Sequence, residues 1–242
     1  MNFVVKNTTK VGLLDLVCPH TCRGCGQLGD VLCECCKKNL IHERQAICPL
    51  CKSVLAGNNK NDKAVRCLDC ELPFEAVFVG GWKEGLLGDM VKEYKYQAVR
   101  KMGDCLAEVL DVAIGDIAVE EEITLIPLPT IGKHIRARGF DHTQDLVKKL
   151  AKRRGWRWEK GLVRRNSSVQ VGADTKSRQK QAREAYMMAK EVDANGVYML
   201  VDDIWTTGAS MMAAAEVLRK AGGKRIMAAV VATGRAKDPD EK

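Results

Sequence analysis

Residues 197–210, VYMLVDDIWTTGAS, restrict the possible folds of this chain more than any other stretch. An apolar run, Val197 to Val201, ends on two adjacent acids, Asp202 and Asp203. A short loop of small and hydroxyl residues follows: Thr206, Thr207, Gly208, Ala209 and Ser210. Met211, Ala214, Ala215, Leu218 and Ala221 then recur at helical spacing until Gly222. The pattern predicts strand, loop and helix, with the loop at the carboxyl end of a strand, where open α/β sheets bind ligands.

The loop chemistry suits a sugar phosphate. Backbone N–H groups at a helix start, together with the positive end of the helix dipole, cradle one phosphate. Gly208 permits close backbone approach, and Thr206, Thr207 and Ser210 add hydroxyls. Asp202 and Asp203 have the right type to accept from two sugar hydroxyls or to hold a hydrated Mg²⁺. The competing reading is a buried strand ending in a capped turn. Trp205 is not demanded by phosphate binding.

Eleven cysteines require their own explanation. The N-terminus has no cleavable signal pattern and no apolar run approaches the roughly 20 residues of a membrane span, so a cytoplasmic, reducing location is expected and disulfides are not. Eight cysteines sort into four C-x-x-C pairs: Cys22/Cys25, Cys33/Cys36, Cys48/Cys51 and Cys67/Cys70. Fifteen residues separate the last two pairs, a zinc-site spacing; seven separate the first two, enough for a small knuckle. Residues 18–72 therefore read as a zinc module holding one or two Zn²⁺, within a predicted N-terminal unit of 1–72. A redox role for one isolated pair is the alternative. Cys18 and Cys35 are spare, Cys105 fits core packing, and His20 and His42 are expected at the surface.

The net charge of +8 is concentrated between residues 131 and 190, where 17 Lys and Arg face 5 Asp and Glu. That excess of +12 leaves the remainder of the chain at −4. Such a stripe favours polyphosphate or nucleic acid over a plain solvated surface. Trp156 and Trp158 stand among Arg153, Arg154 and Arg157, a composition suited to stacking and charge against single-stranded DNA or to edge packing of a strand.

Elsewhere, 74–82 predicts a strand with a Gly-Gly bend, 86–94 and about 100–114 predict helices, and 123–129 predicts a buried strand ending in proline. A helix begins at Asp141, a short strand lies near Trp156–Leu162, and 225–232 forms the closing strand. Residues 237–242 predict a disordered tail. The alternation implies an α/β fold with a parallel, doubly wound sheet over 73–242. Around Arg136, Arg138 and Gly139 a turn would present guanidinium groups to an anion, and Arg165, Gln170, Arg178 and Arg183 would lie on an arm able to close over a diphosphate.

Taken in order, these segments resemble the ComF family (ComFC and the related GntX proteins), which has a type I phosphoribosyltransferase-like fold with an N-terminal zinc module. The family pattern is paired cysteines, an LKY-like helix, a PVP-like strand, an R-x-x-RGFNQ-like loop, an R…Q…R…N arm and LVDDV-x-TTG. It is matched by Tyr94-Lys95-Tyr96, Ile126-Pro127-Leu128-Pro129, Arg136-Ala137-Arg138-Gly139-Phe140-Asp141-His142, Arg165…Gln170…Arg178 and Leu200 through Gly208, across about 18–234. Asp141-His142 departs from Asn-Gln, and Gln181 stands where Asn is expected; His142 reads as a variant polar contact.

The resemblance implies that phosphoribosyl diphosphate (PRPP) binds with Mg²⁺. Its 5′-phosphate would sit on Thr206–Ser210, its ribose on the catalytic acids Asp202 and Asp203, and its diphosphate near Arg136 and Arg138. It further implies a protein that handles incoming single-stranded DNA in natural transformation beside a ComFA-like helicase. A phosphoribosyltransferase joining PRPP to a nucleobase is the second expectation, although no aromatic-lined base site is evident in the zinc module or in 74–120. A PRPP-sensing module that docks a protein through its zinc knuckles is the third.

Overall fold

The computed structural model describes residues 20–42, 47–53, 67, 69–97, 99–115, 122–164 and 186–235. Cys18, Arg165, Gln170, Arg178, Gln181, Arg183 and the tail lie outside the described residues, as does the side chain of His42.

The cysteine region contributes a two-stranded antiparallel pair, β1 (His20–Thr21) and β2 (Leu28–Gly29), then α1 (Glu34–His42). The main body runs β3 (Val77–Trp82), α2 (Leu86–Tyr96), α3 (Met102–Ile114), β4 (Ile123–Pro127), α4 (Gly132–Arg138), α5 (His142–Arg154) and β5 (Arg157–Trp158). It continues with β6 (Leu162–Arg164), β7 (Tyr186–Met188), β8 (Val197–Trp205), α6 (Ala209–Lys220) and β9 (Arg225–Thr233).

Five strands form one parallel sheet in the order β3-β9-β8-β4-β5. The central strand β8 is paired on both edges, with Met199 opposite Leu125 on one side and Met227 on the other. Its apolar run is continuous because both faces are covered, the pattern expected of a parallel strand between helical layers. Val197, Met199 and Val201 point into one apolar cluster with Tyr94, Leu106 and Leu146, which come from α2, α3 and α5. Tyr198 and Leu200 point into the other, with Ala214 and Leu218 from α6. Burying each of the larger side chains contributes roughly 1.5–3 kcal/mol.

The 74–82 expectation is corrected: Gly80 and Gly81 lie inside β3 rather than at a bend. A Cβ on Gly80 would stand 2.4 Å from the Val231 carbonyl oxygen, so glycine there serves close strand packing. The strand expected near 156–162 is two strands. β5 ends the main sheet, and β6 pairs antiparallel with β7 in a separate ribbon. The helix expected from Asp141 is α5, and Asp141 caps it, its carboxylate accepting from Gln144 N at 3.2 Å.

The cysteine region packs against this body at two places. Cys22, Val31 and Leu32 join the cluster under α2 and α3, while Ile47 joins the cluster on the α6 face. Arg23 pairs with Glu93 at 2.7 Å and Lys37 with Glu108 at 3.3 Å. Among the described residues no helix is long and apolar enough to cross a membrane.

Candidate functional site

The strand period sends Asp202 and Asp203, adjacent at the end of β8, to opposite faces of the sheet. Their environments differ accordingly. Asp203 is 3% exposed, and its Oδ2 lies 2.6 Å from Lys95 Nζ and 3.0 Å from His142 Nε2. Burial alone would raise its pKa, but the contact with His142 and the charge of Lys95 hold the carboxyl well below the usual range. Asp202 is half-buried, and burial followed by the neighbouring Asp203 charge pushes it up to about 8. Both acids line one cavity: Asp203 is held ionised by its partners, and Asp202 is the one whose charge is opposed there.

That cavity, of about 510 Å³, opens at the carboxyl ends of β4 and β8. Asp202, Thr206, Gly208 and Ser210 form one wall, with Arg164 and Tyr186 beside them; Lys95, Tyr96, His134 and Arg138 line another part. Gly208 adopts the left-handed conformation (φ 79°) as the N-cap of α6, and its carbonyl accepts from Met212 N at 2.8 Å. Thr206, Thr207 and Ser210 are exposed. Thr207 and Ala209 belong to the loop but do not line the cavity; instead Thr207 Oγ1 accepts from Ala209 N at 3.4 Å.

Trp205, unexplained by the sequence, is the floor of this loop. It is 2% exposed, stacks edge-on to Phe74 with centroids 6.1 Å apart, and lies so close beneath Gly208 that a Cβ there would stand 2.6 Å from the indole. Its buried Nε1 donor has no hydrogen-bond partner among the described residues. Glycine is therefore required at 208 twice over, by its φ and by the ring below.

The structure places the two arginines of the expected pair apart. Residues 132–138 form a helix instead of a turn, and positions two apart on a helix point to different sides. Arg138 lines the cavity, with Nη1 3.1 Å from His142 Nδ1 and its guanidinium 5.0 Å from the centre of the Tyr96 ring. Arg136 is exposed and does not line the cavity. His142, buried between Asp203 and Arg138, links the acid pair to the basic wall. Sequence reasoning assigned no individual role to Lys95, Tyr96, Arg164 or Tyr186. Lys95 and Tyr96 had a signal in the Tyr94-Lys95-Tyr96 match to the LKY-like helix, and Lys95 follows directly on the apolar stripe of α2 that ends at Tyr94.

The tryptophans at 156 and 158 are half-buried and pack against the core cluster. Arg154 lies 5.1 Å from the Trp156 ring and Lys148 lies 5.1 Å from the Trp158 ring.

The cysteines assemble into two sets, Cys22/Cys25/Cys33/Cys36 and Cys48/Cys51/Cys67/Cys70, each with sulfurs within 4.8 Å of one another. A Zn–S bond of about 2.3 Å in a tetrahedron demands sulfurs about 3.8 Å apart. Cys25 and Cys33 sulfurs are 3.7 Å apart, and those of Cys51 and Cys67 are 3.6 Å apart. Backbone N–H groups of Gly24 and Cys33 point at the Cys22 sulfur at 3.4 and 3.3 Å. Burial opposes the Cys22 thiolate, but these and the Cys25 amide hold its pKa down to about 6. Both sets fit one Zn²⁺ each. Cys35 is exposed and outside them, and burial pushes the Cys105 thiol up to about 11.

No protein-family model matches the chain, and comparison with curated proteins finds no match. Among solved structures, the chain is similar to an allosteric regulatory enzyme of purine biosynthesis (16% identity, TM-score 0.41, 58% of this chain and 30% of that one). A second is the glutamine PRPP amidotransferase from B. subtilis complexed with ADP and GMP (16% identity, TM-score 0.38, the same 58% and 30%). A third is a hypoxanthine phosphoribosyltransferase from Staphylococcus aureus (10% identity, TM-score 0.28, 64% of this chain and 69% of that one). The chain thus spans 30% of the length of the first two.

Proposed function

We infer that this cavity binds PRPP or a related phosphoribosyl ligand with Mg²⁺. The observation that carries the reading is the division of labour at the acid pair. Asp202 shares a cavity wall with Thr206, Gly208 and Ser210, while Asp203 is held ionised by Lys95 and His142. The 5′-phosphate takes the 206–210 loop. The ribose hydroxyls and Mg²⁺ take Asp202, oriented by Asp203. The diphosphate takes the basic wall of Lys95 and Arg138. Arg136 has no place in this arrangement. In such a site the acids favour positive charge developing on the ribose, and the cations favour a departing diphosphate.

The chain divides, in this reading, into a cysteine module (1–72) carrying two Zn²⁺ and a ligand domain (73–242). The resemblance to the ComF family supports a role in the cytoplasm during natural transformation, handling incoming single-stranded DNA with a ComFA-like helicase. The basic stretch at 131–190 supports a nucleic acid partner by charge.

A second reading, transfer of the phosphoribosyl group to a nucleobase, is favoured by Tyr96. It is 67% exposed on the cavity rim and carries Arg138 on its ring, a planar surface of the kind that heteroaromatic rings stack on.

The deciding experiment is calorimetric titration of the zinc-loaded chain with PRPP and Mg²⁺, alongside Asp202→Asn. Saturable binding that falls at least tenfold in the variant supports the site; unchanged binding in the variant sinks it. Release of diphosphate on addition of one nucleobase, and not others, supports the transferase reading.

A further inference from the structure

A hydrogen-bonded relay from Lys52 through Thr233 links the second cysteine set to the 206–210 loop. Lys52 follows directly on Cys51 and is the only non-glycine residue with positive φ (67°) among those described. The turn is closed by hydrogen bonds from Lys52 N to Cys48 O and from Cys48 N to Ser53 O, both 2.9 Å. From this turn the Lys52 amine donates to Pro49 O, inside the Cys48-x-x-Cys51 segment, and to Thr233 Oγ1 at 2.7 Å. Thr233 is fully buried at the end of β9, and its hydroxyl donates onward to Trp205 O at 3.1 Å. Trp205 is the floor under Gly208. The amine thus reaches from the turn that presents Cys48 and Cys51 to Thr233, which in turn bonds the residue on which the loop rests.

We propose that Lys52 is a positioning residue that couples metal occupancy of the Cys48/Cys51/Cys67/Cys70 set to the order of the 206–210 loop. With Cys48 and Cys51 both bound, the turn between them has one conformation and the amine has one position. Thr233 Oγ1 then accepts from Lys52, which leaves its own proton for the Trp205 carbonyl and pins that backbone. Without metal, the turn gains freedom, the Lys52 contact is lost, and the Thr233 hydroxyl is no longer oriented from that side. A left-handed lysine is costly in isolation and persists where the surroundings determine it. Here the surroundings are the turn, the Pro49 carbonyl and Thr233. The consequence for ligand binding rests on the reading of the loop as the phosphate site, whereas the coupling itself does not.

The test is hydrogen exchange of peptides covering 203–211 in the full-length chain. Wild type is compared with metal in place and after chelation, with Lys52→Met, Lys52→Arg and Thr233→Val measured metal-loaded and chelated. Metal content confirms loading, and affinity for ribose 5-phosphate is measured on the same samples. Chelation is expected to speed loop exchange in wild type at least tenfold. Lys52→Met and Thr233→Val should match that faster exchange while still metal-loaded, and chelation should add less than twofold. Lys52→Arg, which retains a donor, should recover part of the protection. Wild-type exchange in metal-loaded Lys52→Met, or a full tenfold response to chelation in that variant, overturns the coupling; should Thr233→Val fail to fold, the Lys52 variants decide alone. If exchange behaves as expected while wild type binds no ribose 5-phosphate, the coupling stands and the ligand reading fails. If ribose 5-phosphate binds but exchange ignores Lys52, the reverse holds.

Discussion

Lys95 Nζ stands 2.6 Å from Asp203 Oδ2, joining the last turn of α2 to the end of β8. This contact clamps one of two acids that are neighbours in sequence and line the same cavity, and leaves Asp202 without such a cation among the described residues. It also connects the site to the first cysteine set, because Glu93, two residues earlier on α2, pairs with Arg23 beside Cys22.

Replacing Lys95 by Met should leave Asp203 with His142 as its remaining side-chain partner at a nearly buried position. Removing one member of a buried pair is strongly destabilising, and with His142 retained a loss of about 2–3 kcal/mol is expected in urea unfolding. The double variant Lys95→Met with Asp203→Asn should lose less than the two single losses combined, since the two residues are in contact. Additive losses would show that the pair does not interact.

Gly208→Ala asks for a left-handed alanine whose Cβ would stand 2.6 Å from the Trp205 ring. A stability loss of roughly 1–3 kcal/mol by thermal unfolding is expected, together with at least a tenfold loss of PRPP affinity. An alanine variant with unchanged affinity would exclude the loop as the phosphate site.

Arg138→Met and Arg136→Met separate the two arginines that the sequence presents as equals. The first removes a cation from the cavity and should weaken PRPP at least tenfold by calorimetry. The second alters an exposed side chain and should change affinity less than twofold. Equal losses would restore the paired arrangement.

The pH dependence follows from the opposite shifts of the acids. The Asp202 carboxyl, raised to about 8 by burial and by the Asp203 charge, contributes stability that is complete below its unfolded value near 4 and is lost as pH rises through 8. The depressed Asp203 contributes stability present above that unfolded value and lost as pH falls towards its lower folded value. Urea unfolding between pH 5 and pH 8 should therefore show a decline that Asp202→Asn abolishes. Because the ligand or its Mg²⁺ uses ionised Asp202, affinity should rise about tenfold per pH unit from 6 to 8 and level off above; a flat profile would remove Asp202 from the contact.

Metal analysis should give two Zn²⁺ per chain, one for each cysteine set. Cys33→Ser and Cys51→Ser should each leave one ion, and the double variant none. Cobalt in place of zinc should report four-thiolate tetrahedral absorption at both sites, and stripping both metals should lower the unfolding temperature. One ion in the wild-type protein would mean that only one of the two sets is a metal centre.

Much of the fold was legible in local pattern. The apolar run of β8, the helical stripes at 86–94 and 100–114, and the helix that begins after Asp141 are properties of neighbouring residues, and each lies where its spacing predicts. The cysteine pairing into 22/25/33/36 and 48/51/67/70 was legible for the same reason, since C-x-x-C spacing sets which thiolates share a knuckle. The strand–acid–hydroxyl–helix pattern likewise located the loop.

What the acids do was decided by contacts between residues distant in the chain. Adjacent aspartates look equivalent until the sheet gives one of them, Asp203, the partners Lys95 and His142 within the cavity that both acids line. Arg136 and Arg138 look like a pair until a helix turns them apart, and Gly80–Gly81 looks like a bend until Val231 packs against it. Trp205 has no local meaning at all; it becomes the loop's floor because Phe74, Thr233 and, through Lys52, a cysteine turn distant in sequence close around it. By itself the sequence determined which residues could form elements and metal knuckles, since local spacing governs both. The tertiary structure decided which charge is buried, which is exposed to a ligand and which glycine is irreplaceable, because burial and through-space contact depend on partners that sequence distance does not reveal.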